Sequence, residues 1–214
     1  MNIVIIPGFM GHPDEVTFQE LGKVLESKGH HVTKIAWPYF PDDMERYSFS
    51  ETIAHARATI AALPKDELIL LGFSMGGIIS TLLATESKPQ KLGLLVCPYQ
   101  AGSEDDLAGK YKDWQATGVR AVTSSKYGEL HVPFSYIEDA RRYNALDYIQ
   151  DVHCPILFVA GEKDDKVPMS ATRKLYDKAN EPKQWHQIEG MEHKYQYQPD
   201  ILERVNNIII DFIG

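Results

Sequence analysis

Short runs of leucine and β-branched residues alternate along this chain with longer amphipathic stretches, and no other feature narrows its fold as far. The runs fall at residues 3–6, 31–36, 68–72, 92–97, 156–160 and 184–188, while stretches of helical periodicity fall at 17–28, 51–63, 75–85, 171–179 and 199–212. Near-continuous apolar runs suit strands buried on both faces, and joining parallel strands requires crossovers long enough to hold a helix. The pattern predicts an α/β architecture: a doubly wound, mostly parallel sheet of about six strands. A chain of 214 residues, 43% of them apolar, is expected to bury one substantial core, so residues 1–214 are read as a single domain.

Local signals sharpen some boundaries. Ser48 and Glu51 have the spacing of a capping box, and Pro64 closes the same helix at its far end. Ser135 and Glu138 repeat that spacing and predict a short helix starting near residue 136. From about residue 99 to 148 no strand is recognisable, and charged residues mix with Tyr99, Tyr111, Trp114, Tyr127, Phe134, Tyr136 and Tyr143. Such a stretch is too long for a plain connection. Open α/β sheets bind ligands outside their strand C-termini, so a short helical insertion at about 100–148 is expected to cover the site as a lid. The alternative is an ordinary helix with a ragged connection.

A formal net charge of −8 argues against nucleic acid or an anionic membrane surface as partner. The first apolar run lacks a basic flank and stops at Pro7, and no later run has the length of a membrane span, so a cytoplasmic location is expected. Cys97 and Cys154 each end an apolar run and read as core residues. His12 with Asp14, and the pair His30 and His31, lack the spacing of a metal site, and the glycines near residue 72 lack the lysine of a phosphate loop. Neither a metal nor another cofactor is expected. A homodimer is compatible with the composition.

The motif Gly72-Phe73-Ser74-Met75-Gly76 stands where the strand at 68–72 should turn into a helix. A serine on so tight a turn is thrust out above the sheet, with its oxygen at a helix N-terminus. The flanking glycines leave space where any Cβ would clash. A hydroxyl becomes a nucleophile only beside a base, and that base needs an acid to orient it. Sheets that carry such a turn supply them in the order serine, acid, histidine. Asp164, at the end of the strand 156–160, is the expected acid, with its neighbour Asp165 as rival. Of eight histidines only His186 and His193 follow it. His186 lies within a strand pattern, so His193, in the loop beyond, is the expected base. Two backbone N–H groups are expected to form the oxyanion hole: that of Met75 and that of Phe9, with Met10 in reserve.

Gly8 and Phe9 after the first strand, the serine motif, the run from Gly161 through Asp164 to Val167 and Pro168, and Gly190 to His193 together resemble the α/β-hydrolase superfamily. The likeness spans most of the chain outside about 100–150. In similar proteins the acid stands at the first aspartate of the Gly161 to Pro168 pattern, which falls on Asp164. Many relatives carry a histidine before the oxyanion-loop glycine, where this chain has Pro7, and many begin with an antiparallel hairpin that this chain omits.

The resemblance implies a compact serine esterase or thioesterase. The residues themselves predict acyl transfer to water through Ser74, His193 and Asp164, first of all a carboxylesterase acting on a small-molecule acyl ester. An acyl thioesterase is the alternative, and a ligand-binding protein that has lost catalysis is another. Met10, Tyr99, Phe134 and Val167 are the expected substrate contacts, and His131 is a further residue that could reach substrate.

Overall fold

The computed structural model describes residues 1–102, 109–124 and 126–214. In chain order its elements begin with β1 (Asn2–Ile6), α1 (Val16–Ser27), β2 (His31–Lys34), α2 (Phe49–Ala62) and β3 (Leu68–Phe73). Next come α3 (Met75–Ser87), β4 (Lys91–Leu95), α4 (Gly109–Thr117), β5 (Val119–Ser124), β6 (Gly128–Pro133) and α5 (Ser135–Ala140). The chain ends with β7 (Ile156–Gly161), α6 (Met169–Lys178), β8 (Lys183–Ile188) and α7 (Pro199–Ile213).

The six strands expected from the apolar runs form one parallel sheet in the order β2-β1-β3-β4-β7-β8. Side chains alternate across a strand, and successive residues therefore serve two different cores. Ile3, Ile5, Ile69, Leu71, Leu157 and Val159 pack with Phe18, Leu21 and Leu25 of α1 and Leu202, Val205 and Ile209 of α7. Val4, Ile6, Leu70, Leu92, Leu94 and Phe158 face the opposite way, toward Ile53 of α2, Ile78, Ile79 and Leu83 of α3 and Leu175 of α6. Each such buried side chain contributes about 1.5–3 kcal/mol, which explains why the inner strands β1, β3, β4 and β7 read as near-continuous apolar runs, while the edge strands β2 and β8 are mixed and half-exposed.

From β1 the chain moves outward to β2 and then returns to β3 on the other flank of β1. Loops leaving β1 and β3 consequently diverge and open a crevice at the strand C-termini. Among the described residues no helix is long and apolar enough to cross a membrane.

The helix cap at Ser48 is as read, its Oγ accepting the Glu51 N–H at 3.2 Å. The cap at Ser135 is not. Phe134 stands in the cap position, already helical at φ −65° and ψ −23°, and Ser135 is the first residue of α5. The stretch from 99 to 148 also corrects the expectation that it holds no strand. Between α4 and α5 lies an antiparallel hairpin of β5 and β6, turned by Gly128 at φ 75°. It pairs only with itself, so its strands lack the apolar run of the main sheet. Residues 103–108 and 125 of the predicted insertion lie outside the described residues.

Candidate active site

Ser74 occupies the turn from β3 into α3 at φ 52° and ψ −126°, a conformation costly for a residue with a side chain. Its N–H donates to the Leu95 carbonyl at 2.9 Å, and its own carbonyl accepts the Gly77 N–H at 2.9 Å. The flanking glycines are required by close approach. A Cβ at Gly72 would lie 2.5 Å from the Cα of Gly77, and one at Gly76 would lie 2.2 Å from the Ile6 carbonyl oxygen. Helix α3 thus packs its first turn directly on the backbone end of β1.

Two loops at the ends of β7 and β8 are laced together before they deliver the other groups. The Glu162 N–H donates to the Ile188 carbonyl at 3.1 Å, and the Lys163 N–H to the Met191 carbonyl at 3.0 Å. The side chain of Gln198 spans the second loop, donating to the Gly190 carbonyl at 3.0 Å and accepting the Glu192 N–H at 3.0 Å. Asp164 is 1% exposed in its side chain; its Oδ1 accepts the N–H groups of Lys166 and Val167 at 2.9 and 2.8 Å. Its Oδ2 lies 2.8 Å from His193 Nδ1. An ionised carboxylate only accepts, so Nδ1 carries the proton of that bond and Nε2 is left as the basic nitrogen.

Ser74 and His193 line one cavity of about 370 Å³. Among the described residues no hydrogen bond joins the two side chains; in such pairs that bond often forms only around substrate. Phe9, Met75, Met10 and Val167 line the same cavity. Met75 is the first residue of α3, where backbone N–H groups have no intrahelical acceptor. Met10, by contrast, donates its N–H to the Tyr47 hydroxyl at 2.9 Å, which leaves Phe9 as the donor from that loop. Glu15 also reaches the cavity: it is half-buried, and desolvation pushes its carboxyl above the usual range against the opposing His12 N–H.

A family model for the alpha/beta hydrolase fold matches residues 2–136. This chain belongs to the α/β-hydrolase family. Human mitochondrial palmitoyl-protein thioesterase ABHD10 is 25% identical over 191 residues, covering 83% of this α/β-hydrolase and 61% of that protein. The chain therefore spans about three fifths of the length of the curated relatives it matches. Among solved structures, mouse alpha/beta hydrolase domain-containing protein 10 superposes with a TM-score of 0.82 at 18% identity, covering 99% of this chain and 89% of the other. Est1E from Butyrivibrio proteoclasticus with ferulic acid bound gives 0.75 at 17% identity, covering 99% and 89%. At such identities the structural likeness speaks to the fold.

Two expected substrate contacts of this α/β-hydrolase are corrected. Tyr99 lies away from the cavity, with the Lys174 ammonium 5.1 Å from its ring centroid, and Phe134 is buried beneath Trp114 at 6.0 Å between rings. His131 points to solvent beside Glu129. Asp165, the rival acid, is 65% exposed in its side chain and pairs with Lys166, whose hydrogen bond holds its carboxyl below the usual range. His186 sits within β8 opposite Val159. The wall that Tyr99 and Phe134 were expected to form comes instead from Tyr111, Trp114, Arg120, Val122 and Ile137. Aromatic content flagged this stretch, but linear order carries no sign of which ring faces inward. Gln198 was also missed; its signal is only that it immediately precedes Pro199, the first residue of α7.

Cys97 and Cys154 are free thiols. Among the described residues no group of three or more His, Cys, Asp or Glu side chains is arranged to hold a metal ion.

Proposed function

We propose that this α/β-hydrolase is a serine hydrolase that cleaves carboxylic esters through a seryl acyl-enzyme. The observation that carries the reading is the buried Asp164 carboxylate bonded to His193 Nδ1 at 2.8 Å, beside the cavity that also holds the strained Ser74. Ser74 Oγ attacks the substrate carbonyl carbon while His193 Nε2 takes its proton, and the carbonyl π electrons move onto oxygen. The N–H groups of Phe9 and Met75 receive that oxyanion. Collapse of the tetrahedral intermediate breaks the bond to the leaving group, which takes the proton from His193. Water, deprotonated by the same ring, then attacks the acyl carbon and releases the acid with Ser74 restored.

The apolar wall of Phe9, Tyr111, Trp114, Val122 and Ile137 favours an apolar or aromatic acyl group, with α4, β5 and α5 acting as a cover that excludes water. A thioester is the second reading, favoured by the human relative, which is named a palmitoyl-protein thioesterase. A fluorophosphonate probe is expected to label the protein but not Ser74→Ala, because only an activated serine reacts fast. Matched p-nitrophenyl esters and acyl-CoA thioesters of graded length then separate the two readings by kcat/KM. If the probe fails to label and neither series is turned over, the hydrolase reading fails in favour of a ligand-binding protein.

A further inference from the structure

The loop between β1 and α1 is held from beneath by groups that never meet substrate. Met10 within it adopts φ 56°, a left-handed conformation that a non-glycine residue keeps only when its surroundings enforce it. Pro7 offers that loop no N–H. The anchor is the Met10 N–H, which donates to the Tyr47 hydroxyl at 2.9 Å. Tyr47 is 1% exposed, and its ring stacks on Tyr136 with 4.8 Å between centroids and 12° between planes. Tyr136, fully buried on α5, packs its ring 4.9 Å from that of Phe9 and donates its hydroxyl to Met75 Sδ at 3.7 Å. Trp37 closes the cluster, its ring 5.2 Å from Tyr47 and 5.9 Å from Tyr136.

The stacked pair therefore touches both sides of the oxyanion site: Phe9 through its ring and the neighbouring Met10 N–H, and Met75 through its sulfur. Neither tyrosine lines the cavity. We propose that Tyr47 and Tyr136 are positioning residues that fix the Phe9 and Met75 N–H groups relative to each other, so that the two converge on one developing oxyanion. This rests on the hydrolase reading above. The chemistry of the pair suits the task. Both phenols are neutral at neutral pH, and burial raises them further above their ordinary range, so the hydroxyls lie beneath the oxyanion without adding negative charge. A phenylalanine at 47 would preserve the stack but leave the Met10 N–H without its acceptor.

The test compares the full chain with Tyr47→Phe and Tyr136→Phe, using a p-nitrophenyl ester as substrate and phenylboronic acid as a tetrahedral adduct former. Loss of one oxyanion donor costs roughly 100- to 1000-fold in kcat, and loosening one is expected to cost less, about 10- to 100-fold for Tyr47→Phe. KM should stay within about twofold, and the boronate should weaken in parallel with kcat, because only tetrahedral species use the site. Tyr136→Phe is expected to show the same split at smaller size. A purely structural role would instead lower the folded fraction and leave kcat per folded molecule unchanged.

Should folded Tyr47→Phe keep kcat within about twofold while the parent chain hydrolyses ester, the proposal is overturned and the hydrolase reading stands. If the parent chain neither turns over substrate nor reacts with fluorophosphonate, both fall together. Should Tyr47→Phe not fold, two other results decide: the kcat and boronate response of Tyr136→Phe, and amide exchange at Met10 in the parent chain. An unchanged Tyr136→Phe, or Met10 exchange at the rate of a free loop, overturns the proposal.

Discussion

One wall of the cavity is made by the ends of β1, β3, β7 and β8 and the loops that leave them; another is made by α4 and the β5–β6 hairpin. Every residue of β1 and β7 is buried, whereas Val119, Arg120, Ala121 and Thr123 of β5 are exposed. The first wall holds Ser74, Asp164 and His193 through backbone hydrogen bonds and close glycine contacts, so a shift in any of them would disturb the core. The second presents Trp114, Arg120 and Val122 from elements that answer mainly to each other. Trp114 is buried in the main core, but the Arg120 and Val122 side chains can change while the sheet stays intact. The contrast separates the part of the molecule suited to chemistry from the part suited to choosing a substrate.

The sharpest way to break that contrast is to exchange the two neighbouring carboxylates. Asp164→Asn is expected to lower kcat by about 10⁴-fold, because the amide leaves His193 in the wrong tautomer, whereas Asp165→Asn should stay within about twofold. Equal losses in steady-state assays would contradict the assignment of the acid to the buried member of the pair. A middle-sized effect is expected on the other wall. Val122→Phe, on a strand that is largely exposed, should narrow the acyl side and lower kcat/KM for longer acyl esters about 10-fold relative to acetate. A uniform drop across the acyl series would show that the hairpin shapes catalysis rather than selection.

The smallest effect concerns Glu15. Its native carboxyl titrates above the unfolded value, so it favours folding only while protonated, and that contribution is lost as pH rises through the native range. Glu15→Gln, which keeps an acceptor for the His12 N–H, should therefore raise the urea midpoint slightly near pH 8 and lose that advantage near pH 3.5. A variant that is less stable at the higher pH would refute burial as the cause of the shift.

The marks that structure leaves in the chain follow the same division. The four inner strands β1, β3, β4 and β7 were legible because strands buried on both faces must be largely apolar, the half-exposed edge strands β2 and β8 left a weaker mark, and the helices were legible because their periodicity matches a buried stripe. Ser74 was legible because Gly72 and Gly76 are demanded by contacts under 3 Å, a constraint strong enough to leave a local mark. The hairpin left none, since β5 pairs through its backbone while four of its side chains face water. Phe134 and Tyr99 were misassigned because a ring packed under the wall, or one turned away toward Lys174, looks like a lining ring in a string of letters. Ser135 failed as a cap because Phe134 had already entered the helix.

Local patterns in the chain are enough to prescribe the parallel sheet, its crossover helices and the residue types able to carry acyl transfer, because those depend on short-range periodicity and on turns that tolerate few residues. Packing in three dimensions is what brings Asp164 rather than Asp165 to His193, braces the histidine loop with Gln198, and sets Tyr47 and Tyr136 beneath Phe9 and Met75. Each of those depends on side chains far apart in the chain arriving within hydrogen-bond or ring-contact distance. That arrival is fixed by how the layers pack, which no local pattern records.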